Sequence, residues 1–269
     1  AGPQPGSRSP AGVAWRATVR FDLVTIFPRL CDGPLGVGIL CRAIERGLVD
    51  VRVHDLRDHT TDRHRSVDDV PYGGGPGMVF KPEPLFAAVD AIRAQGGEPD
   101  AVILTSPQGK TFTQAEAARL AGMRHVVLLC GRYEGVDDRV RTGLATEELS
   151  IGDYVLSGGE LPALVIVDAV VRLLPGAVGD EESVEADSFT RGLLDFPVFT
   201  RPAGFRGMAV PDVLMSGHHA EIKRWRKREA LRRTLASRPE LLADAELDSE
   251  EREMLRALME ERGAEYGRD

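Results

Sequence analysis

The sequence is short of cysteine, of long apolar runs and of phosphate-loop signatures, and each shortage excludes a class of protein. Cys31, Cys41 and Cys130 are an odd number without CxxC spacing, so neither a disulfide framework nor a zinc knuckle is expected, and a reducing cytoplasm fits. No run of 18 apolar residues is present, so no membrane partner is expected. Neither GxxxxGK[ST] nor GxGxxG occurs, which argues against a P-loop or dinucleotide-binding enzyme.

The remaining composition is that of a globular protein. With 269 residues, 42% of them hydrophobic and 28% charged, the chain can form one large domain or a medium domain plus a small one. Residues 1–18 are rich in Gly, Pro, Ser and Ala and lack the apolar core of a signal peptide. We therefore expect residues 1–18 to be a disordered tail or a cloning remnant.

Short β-branched runs alternate with helical segments through the first two-thirds of the chain. The strand candidates are 19–27, 49–56, 101–107 and 125–131, and the helix candidates are 37–46, 84–94, 114–121 and an apolar helix that has Pro162 in its first turn and stops at Pro175-Gly176. The strand candidates are continuous apolar runs, which is typical of strands covered on both faces. The pattern predicts an α/β domain with a mostly parallel sheet over residues 19–179.

The pattern changes at residues 180–194, where acidic residues crowd together and apolar residues are few. This composition predicts an interdomain linker, followed by a small all-helical domain over residues 195–269. In that domain we expect a last helix capped by Ser249 and ended by Gly263.

The net charge of −8 is unevenly distributed along this second part. Residues 218–234 carry seven Lys or Arg against two Glu, a local net charge of +5, whereas residues 240–269 carry eleven acidic residues against four Arg, a net of −7. The basic segment predicts a helix that faces phosphate, although a merely solvated helix surface fits it equally well. We expect the acidic end to face solvent or a partner subunit, because it would repel phosphate.

Three glycine-containing loops are the candidates for a ligand site. Two of them, 105–110 and 130–139, follow predicted strands, and the third, 150–162, precedes the apolar helix. Ligands of open α/β sheets bind at the carboxyl ends of strands, so the loops are expected to converge on one crevice. No loop offers a cluster of basic residues, which favours a nucleoside-like ligand with little or no phosphate.

Two further segments allow more than one interpretation. The glycine-rich stretch 70–78 fits a flexible turn as well as a loop that closes over a planar ligand. His54, His59 and His64 recur every five residues, a spacing that fits no common metal motif and favours a polar active-site or RNA-facing loop.

Seven motifs, from about Val19 to the last helix, resemble the bacterial tRNA (guanine-N1)-methyltransferase family, TrmD. They are DRHRSVDDVPYGGGPGM, LTSPQGK, LLCGRYEGVDDRV, LSIGDYVLSGGELPALVIVDAVVRLLPG, DSF, GLLDFPVFTRP and LMSGHHAEIKRWR, in this order. The resemblance implies a SPOUT-type fold with a C-terminal trefoil knot in the catalytic domain, and a homodimer. It also implies S-adenosylmethionine as methyl donor, and methylation at N1 of the guanosine immediately 3′ of the anticodon of tRNA.

The resemblance also assigns roles to individual residues. The cofactor-binding positions are Leu104, Thr105, Ser106, Pro107, Gly131, Tyr133, Glu134, Ile151, Gly152, Tyr154, Leu156, Gly158, Gly159 and Pro162. Asp187 corresponds to the general base and Arg172 to the cation at guanine O6, and Glu134 is the candidate ligand of a required Mg²⁺. The tRNA-binding positions are Lys223, Arg224, Arg226, Lys227 and Arg201.

Each catalytic residue also has a simpler interpretation. Asp187 fits one more linker carboxylate, and Arg172 fits a cation favoured by the dipole at a helix C-terminus. If Asp187 lies on a linker that becomes ordered across the dimer interface, it acts on the opposite subunit. A noncatalytic RNA-binding protein and a relative that methylates ribose are the remaining alternatives to base methylation.

Overall fold

The structure, a computed structural model, describes residues 18–179 and 187–266, with side chains up to residue 262. The chain divides into two units, residues 1–181 and 182–269. The predicted tail lies almost entirely outside the described residues, as does the first half of the predicted linker.

Five strands of the first unit pair in parallel. They are β1 (Val19–Thr25), β2 (Val49–Asp55), β5 (Ala101–Thr111), β6 (His125–Cys130) and β7 (Glu147–Ser150), and their order in the sheet is β2–β1–β6–β5–β7. Two short strands between them, β3 (Asp68–Asp69) and β4 (Val79–Phe80), pair antiparallel. The predicted α/β class with a parallel sheet is confirmed.

Helices cover both faces of this sheet. One face packs against α1 (Arg29–Leu35), α2 (Gly38–Glu45), α4 (Gln114–Ala121) and α6 (Glu160–Val171). The other face packs against α3 (Pro82–Gly96), α5 (Asp138–Gly143) and a 3₁₀ helix, Leu56–His59. In β1, Phe21 and Leu23 are buried in the first core and Val24 in the second, so the strand is apolar on both sides.

Two elements differ from the sequence prediction. The sequence did not indicate β7, because Glu147 and Glu148 begin it; β7 is an edge strand and tolerates charged residues. The helix α6 ends at Val171, four residues before the predicted stop at Pro175-Gly176. Among the described helices, none is both long and apolar enough to cross a membrane.

The second unit combines helices with a small hairpin. Its described elements are β8 (Gly204–Phe205), β9 (Met208–Ala209), α7 (Asp212–Met215), α8 (His219–Ser237), a 3₁₀ helix (Pro239–Ala243) and α9 (Ser249–Tyr266). The prediction of an all-helical domain was therefore wrong in one place. Arg206 and Gly207 have φ of 50° and 79°, which closes β8 and β9 through a two-residue turn of the I′ kind.

Part of the predicted linker 180–194 packs within this unit. Leu193 is buried in the core with Leu231, Met254 and Leu258. The amide of Leu194 donates to Thr234 Oγ1 at 2.9 Å. Residues 193 and 194 are thus held by buried contacts, and residues 180–192 lie between them and the first unit's described end at residue 179.

The last helix has different ends from those expected. Asp248 Oδ1 accepts from the amide of Glu251 at 2.8 Å, and Glu251 Oε2 accepts from the amide of Asp248 at 2.9 Å. This reciprocal pair is a capping box, so Asp248 is the N-cap and Ser249 is the first helical residue. The helix also continues beyond Gly263, to Tyr266.

Candidate functional site

A cavity of about 350 Å³ lies at the carboxyl ends of β5, β6 and β7. These three strands are neighbours in the sheet, so the segments 104–109, 131–136 and 151–159 that follow or interrupt them surround one space. We call these segments loops one, two and three. All fourteen predicted cofactor positions line the cavity: Leu104, Thr105, Ser106, Pro107, Gly131, Tyr133, Glu134, Ile151, Gly152, Tyr154, Leu156, Gly158, Gly159 and Pro162.

Loop one is a bulge within β5. Thr105 pairs with Leu149, and Lys110 then pairs with Leu149 again, so the four residues between them leave the ladder and turn toward the cavity. A Cβ on Gly109 would lie 2.5 Å from the carbonyl carbon of Glu148, so the close return to β7 requires glycine.

Loop two places an aromatic ring at the cavity through an unusual backbone conformation. Tyr133 has φ of 60°, in the left-handed region, and its side chain is 57% exposed. The ring meets that of Phe80 edge to face at 5.8 Å. The glycine-rich segment 70–78 packs against this loop, because Met78 O accepts from the amide of Glu134 at 3.0 Å. A Cβ on Gly77 would lie 2.5 Å from Glu134 Cγ, so glycine is required for that contact.

Loop three lies directly over the strand ends. The amide of Gly159 donates to Gly131 O at 2.9 Å. A Cβ on Gly159 would overlap Thr105 Oγ1 and lie 2.8 Å from Cys130 Cα. Earlier in the loop, Gly152 has φ of 148° and the ring of Tyr154 packs against it. The glycines of the motif therefore allow the loop to approach the sheet closely.

A buried ion pair, which the sequence reasoning missed, joins loops two and three. Glu160, 1% exposed at the start of α6, accepts from Arg132 Nε at 3.1 Å and from Thr25 Oγ1 at 2.6 Å. Arg132 also donates to Ser157 O at 3.3 Å and lies over the ring of Phe27, 4.4 Å from its centroid. Thr25 and Glu160 are 135 residues apart, so no local motif connects them; the available signal was a polar residue in each of two apolar runs.

Among the described residues of the cavity wall, each arginine already has a carboxylate partner. Arg132 is paired with Glu160, and Arg141 is paired with Asp138 at 2.6 Å. The other charged lining residues are the carboxylates of Glu134 and Glu148. The wall therefore matches the expected ligand, which carries little or no phosphate.

The nearby cysteines are not nucleophiles. Burial and the charge of Glu160 raise the pKa of the Cys31 thiol to about 11. Burial likewise raises the pKa of Cys130, which is fully buried beneath loop three, well above its usual range. Both side chains are therefore protonated thiols at neutral pH, and a mechanism that uses a cysteine thiolate has no support here.

Comparison with known proteins identifies the family. The family model described as tRNA (Guanine-1)-methyltransferase TrmD matches residues 19–244. A tRNA (guanine-N(1)-)-methyltransferase of Pelotomaculum thermopropionicum is 54% identical over 242 residues, covering 90% of this chain and 96% of the relative. The chain belongs to the tRNA (guanine-N1)-methyltransferase family. The enzymes of the same name from Geobacter metallireducens and Geobacillus kaustophilus are 53% and 52% identical, covering 90% and 91% of this chain and 98% and 100% of the relatives.

The residues that the family resemblance assigns to catalysis do not all lie at the cavity. In this methyltransferase, Arg172 directly follows the last residue of α6, whereas Pro162 lines the cavity near the first. Ten residues of helix separate them, about 15 Å at the usual rise. Asp187 belongs to the second unit, half-buried at the start of the segment that Leu193 and Leu194 anchor. The structure thus leaves the roles of both residues as predictions.

Metal-binding side chains are sparse in the described part of this methyltransferase. No group of three or more His, Cys, Asp or Glu side chains that could hold an ion occurs among the described residues. Glu134 is exposed and packs against Gly77. His54 is hydrogen-bonded at 2.6 Å to Asp22, away from the loops. Glu134 therefore offers one carboxylate, and a magnesium ion there would also need waters and substrate oxygens.

The basic helix α8 of this methyltransferase has two different faces. Lys227 pairs with Asp248 at 2.6 Å and with Glu250 at 3.0 Å, and Arg224 pairs with Glu250 at 3.6 Å. Glu250 is exposed, as expected of the acidic end, and also pairs with the basic helix within the same unit. The expectation was wrong for Glu251, which is 1% exposed and pairs with Arg191. Among the described residues, Lys223, Arg226 and Arg201 have no carboxylate within ion-pair distance.

Proposed function

We propose that this enzyme transfers a methyl group from S-adenosylmethionine to N1 of the guanosine immediately 3′ of the anticodon in tRNA. The observation that carries the proposal is the convergence of three loops on one cavity whose cations are already paired, in a member of the tRNA (guanine-N1)-methyltransferase family. An enzyme that acts on tRNA works in the cytoplasm.

The cavity residues fit S-adenosylmethionine. Leu104, Ile151 and Leu156 offer apolar walls for an adenine ring, and the glycines of loop three expose backbone groups for its hydrogen bonds. Glu134 and Glu148 also line the cavity, and their negative charge favours a positive sulfonium. When bound, the cofactor supplies an electrophilic methyl group. Loops one to three are also the segments that the family resemblance places in a trefoil knot, which we propose for this chain.

Two side chains would act on the guanine. Its N1 carries a proton and is a poor nucleophile until that proton is removed, so Asp187 accepts the proton as general base. Negative charge then develops toward O6, where Arg172 donates from a planar guanidinium that stays charged at all relevant pH. Alignment of N1 with the methyl group lowers the barrier by up to about 7–11 kcal/mol. The family resemblance also implies Mg²⁺, which Glu134 would hold together with waters and substrate oxygens, and no step here depends on the ion.

The active enzyme is proposed to be a homodimer. The helix α6 is buried nearly all round, yet Leu161 and Val165 on its outer side are 50% and 45% exposed, and Val155 of loop three is 84% exposed. Such apolar surface beside a cavity is typical of a face that a second subunit covers. In the dimer, Asp187 of one subunit acts at the cavity of the other.

The test is a methyl-transfer assay with two tRNA transcripts. One carries guanosine 3′ of the anticodon and the other adenosine, and both receive labelled S-adenosylmethionine and Mg²⁺. We expect N1-methylguanosine in the first transcript only. The variant Asp187→Asn should lower kcat by about 10²- to 10⁴-fold with unchanged cofactor affinity, whereas the neighbouring carboxylate variant Glu185→Gln should keep kcat. Label in neither transcript, with cofactor bound, would refute the substrate assignment.

Mixed dimers test the sharing of the site. Asp187→Asn chains are combined with chains carrying Gly159→Val, whose side chain would clash with Thr105 and Cys130 and so displace loop three from the cofactor cavity. Only the arrangement in which Asp187 serves the opposite cavity restores one complete site per mixed dimer, because an intact Asp187 then meets an intact cavity. If the methyl-transfer activity of the mixture does not exceed that of either variant alone, each subunit uses its own Asp187.

A further inference from the structure

The second unit contains its own cavity, of about 410 Å³, which no role above accounts for. Three of its thirteen lining residues are aromatic: Phe196 and Phe199 on the segment before the hairpin, and Trp225 on α8. The rings of Phe199 and Trp225 are 6.4 Å apart between centroids, and both are partly accessible. Trp225 is therefore half-buried at the edge of an open cavity.

The charge around this cavity is of one sign. Arg201 and Arg226 line it, and no Asp or Glu is among its described lining residues. The guanidinium of Arg226 lies over the ring of Phe196, 4.9 Å from its centroid, which leaves a planar cation beside the aromatic wall. Lys223, one helical turn before Arg226, extends the positive surface.

The side chains of α8 that form ion pairs with α9 do not line this cavity. Arg224 and Lys227 pair with Glu250, and Arg228 pairs with Glu261 of α9. Lys223 and Arg226, three residues apart, have no such partner among the described residues, and neither has Arg201. Three cations without an ion pair among the described residues thus lie at or next to the aromatic cavity.

This combination selects one kind of occupant. A base in single-stranded RNA offers a flat π surface for aromatic rings and for arginine, and its flanking phosphates offer negative charge to nearby cations. A protein segment with acidic residues would use the cations but not the stacked walls. We propose that the cavity receives one unstacked base of the tRNA, with an adjoining phosphate at Lys223 or Arg201. This inference rests on the proposed tRNA substrate and adds a specific contact to it.

The first experiment uses fluorescence of the full chain. The sequence has two tryptophans, so Trp15→Phe leaves Trp225 as the sole indole. Titration with tRNA transcript should quench Trp225 saturably, whereas heparin, a polyanion without bases, should not. Quenching by both, or binding of tRNA without quenching, would overturn the proposal. An emission change that follows protein concentration in the absence of RNA would instead indicate a protein contact.

The second experiment compares matched variants. Trp225→Leu keeps an apolar side chain but loses the stacking surface, so Kd for tRNA should rise at least about fivefold. Phe205→Leu is the control, because Phe205 is an exposed aromatic residue of the same unit that does not line the cavity. Its Kd should stay within about twofold of the parent. Equal effects of the two variants would overturn the proposal.

The proposed base contact and the proposed methyl-transfer reaction can be refuted separately. If the parent enzyme transfers methyl to the guanosine transcript but Trp225→Leu binds tRNA normally, only the base-binding cavity is refuted. If the parent binds tRNA and quenches Trp225 but methylates neither transcript, the proposed reaction is refuted while the cavity stands.

Discussion

At the residue scale, Glu160 is the side chain on which the cavity's shape depends most. Its carboxylate holds Arg132 of loop two and Thr25 of β1 from the first turn of α6. Glu160→Gln leaves Arg132 without a counter-charge in a nearly buried position. Loops two and three should therefore shift relative to each other. We expect the Kd for S-adenosylmethionine, measured by calorimetry, to rise about tenfold, with a smaller change in the Kd for tRNA.

The control for Glu160 is Glu83→Gln. Glu83 also lies in the first turn of a helix, α3, but it is exposed and has no ion pair among the described residues. Its removal should leave the cofactor Kd unchanged. Equal weakening by both variants would mean that loss of helix-dipole stabilisation, and not the ion pair, explains the effect.

A second buried carboxylate, Asp22, links stability to pH. Burial alone would raise its pKa, but hydrogen bonds from His54, Arg20 and His125 outweigh burial and lower the pKa from 3.8 to about 2. Because the folded state favours the ionised form, this contribution is fully present above about pH 4 and is lost as pH falls toward 2. The difference corresponds to about 2 kcal/mol of unfolding free energy.

Urea unfolding between pH 2 and pH 6 tests this linkage. As the pH falls through that range, the unfolding free energy of the parent should decrease by about 2 kcal/mol more than that of Asp22→Asn. The two unfolding free energies should differ most near pH 6. Asp90→Asn, an exposed carboxylate of α3, should follow the parent curve. Parallel curves for parent and Asp22→Asn would contradict the role assigned to this carboxylate.

Sequence motifs identified the cavity wall better than its support. Glycines such as Gly152 and Gly159 stand out in a sequence because a turn or a close approach requires them locally. Thr25 and Glu160 meet only after the sheet and α6 have packed, so their partnership depends on tertiary structure. Arg172 is the reverse case: its motif is clear, but its position at the far end of α6 is apparent only in the fold.

At the element scale, the last helix depends on its capping box. Asp248 Oδ1 accepts a hydrogen bond from the amide of Glu251, and Asp248 also forms an ion pair with Lys227 of α8. Asp248→Ala should therefore lower the unfolding free energy of the second unit's transition by about 1–2 kcal/mol. Ser249→Ala, at the position that sequence alone suggested as the cap, should cost less than about 0.5 kcal/mol. Thermal unfolding followed by circular dichroism distinguishes them, and the opposite ranking would restore Ser249 as the cap.

Element prediction succeeded where apolar runs were long. The strands β1 and β6 were recognisable because each is a largely apolar run buried on both faces or nearly so. In β2, valines alternate with polar residues and only Val49 is buried, which is typical of an edge strand. The strand β7 was not recognisable, since its pairing with β5 compensates for the charged residues at its start. The hairpin of the second unit depends on positive φ at Arg206, a conformation that the residue type does not suggest.

At the scale of the whole molecule, the proposed dimer makes a direct prediction. Val165→Glu places a carboxylate in the outer side of α6, where Leu161 and Val165 are exposed in the single chain. We expect the mass measured by light scattering to fall from that of two chains to that of one, 29.2 kDa, with loss of methyl transfer. Val37→Glu changes a valine elsewhere in the first unit that is 65% exposed, against 45% for Val165, and this variant should stay dimeric. A monomeric parent would refute the dimer outright.

The pairing of α8 with α9 has a consequence for selectivity. Carboxylates of α9 and its N-cap form ion pairs with basic side chains of α8 that would otherwise attract any phosphate backbone. These carboxylates therefore compete with nucleic acid for the basic side chains. Long-range attraction to bulk RNA is thereby reduced, while the cations beside the aromatic cavity stay available. We therefore expect tRNA to gain its binding affinity from shape and from the proposed base contact more than from charge. RNA that lacks both features should dissociate faster.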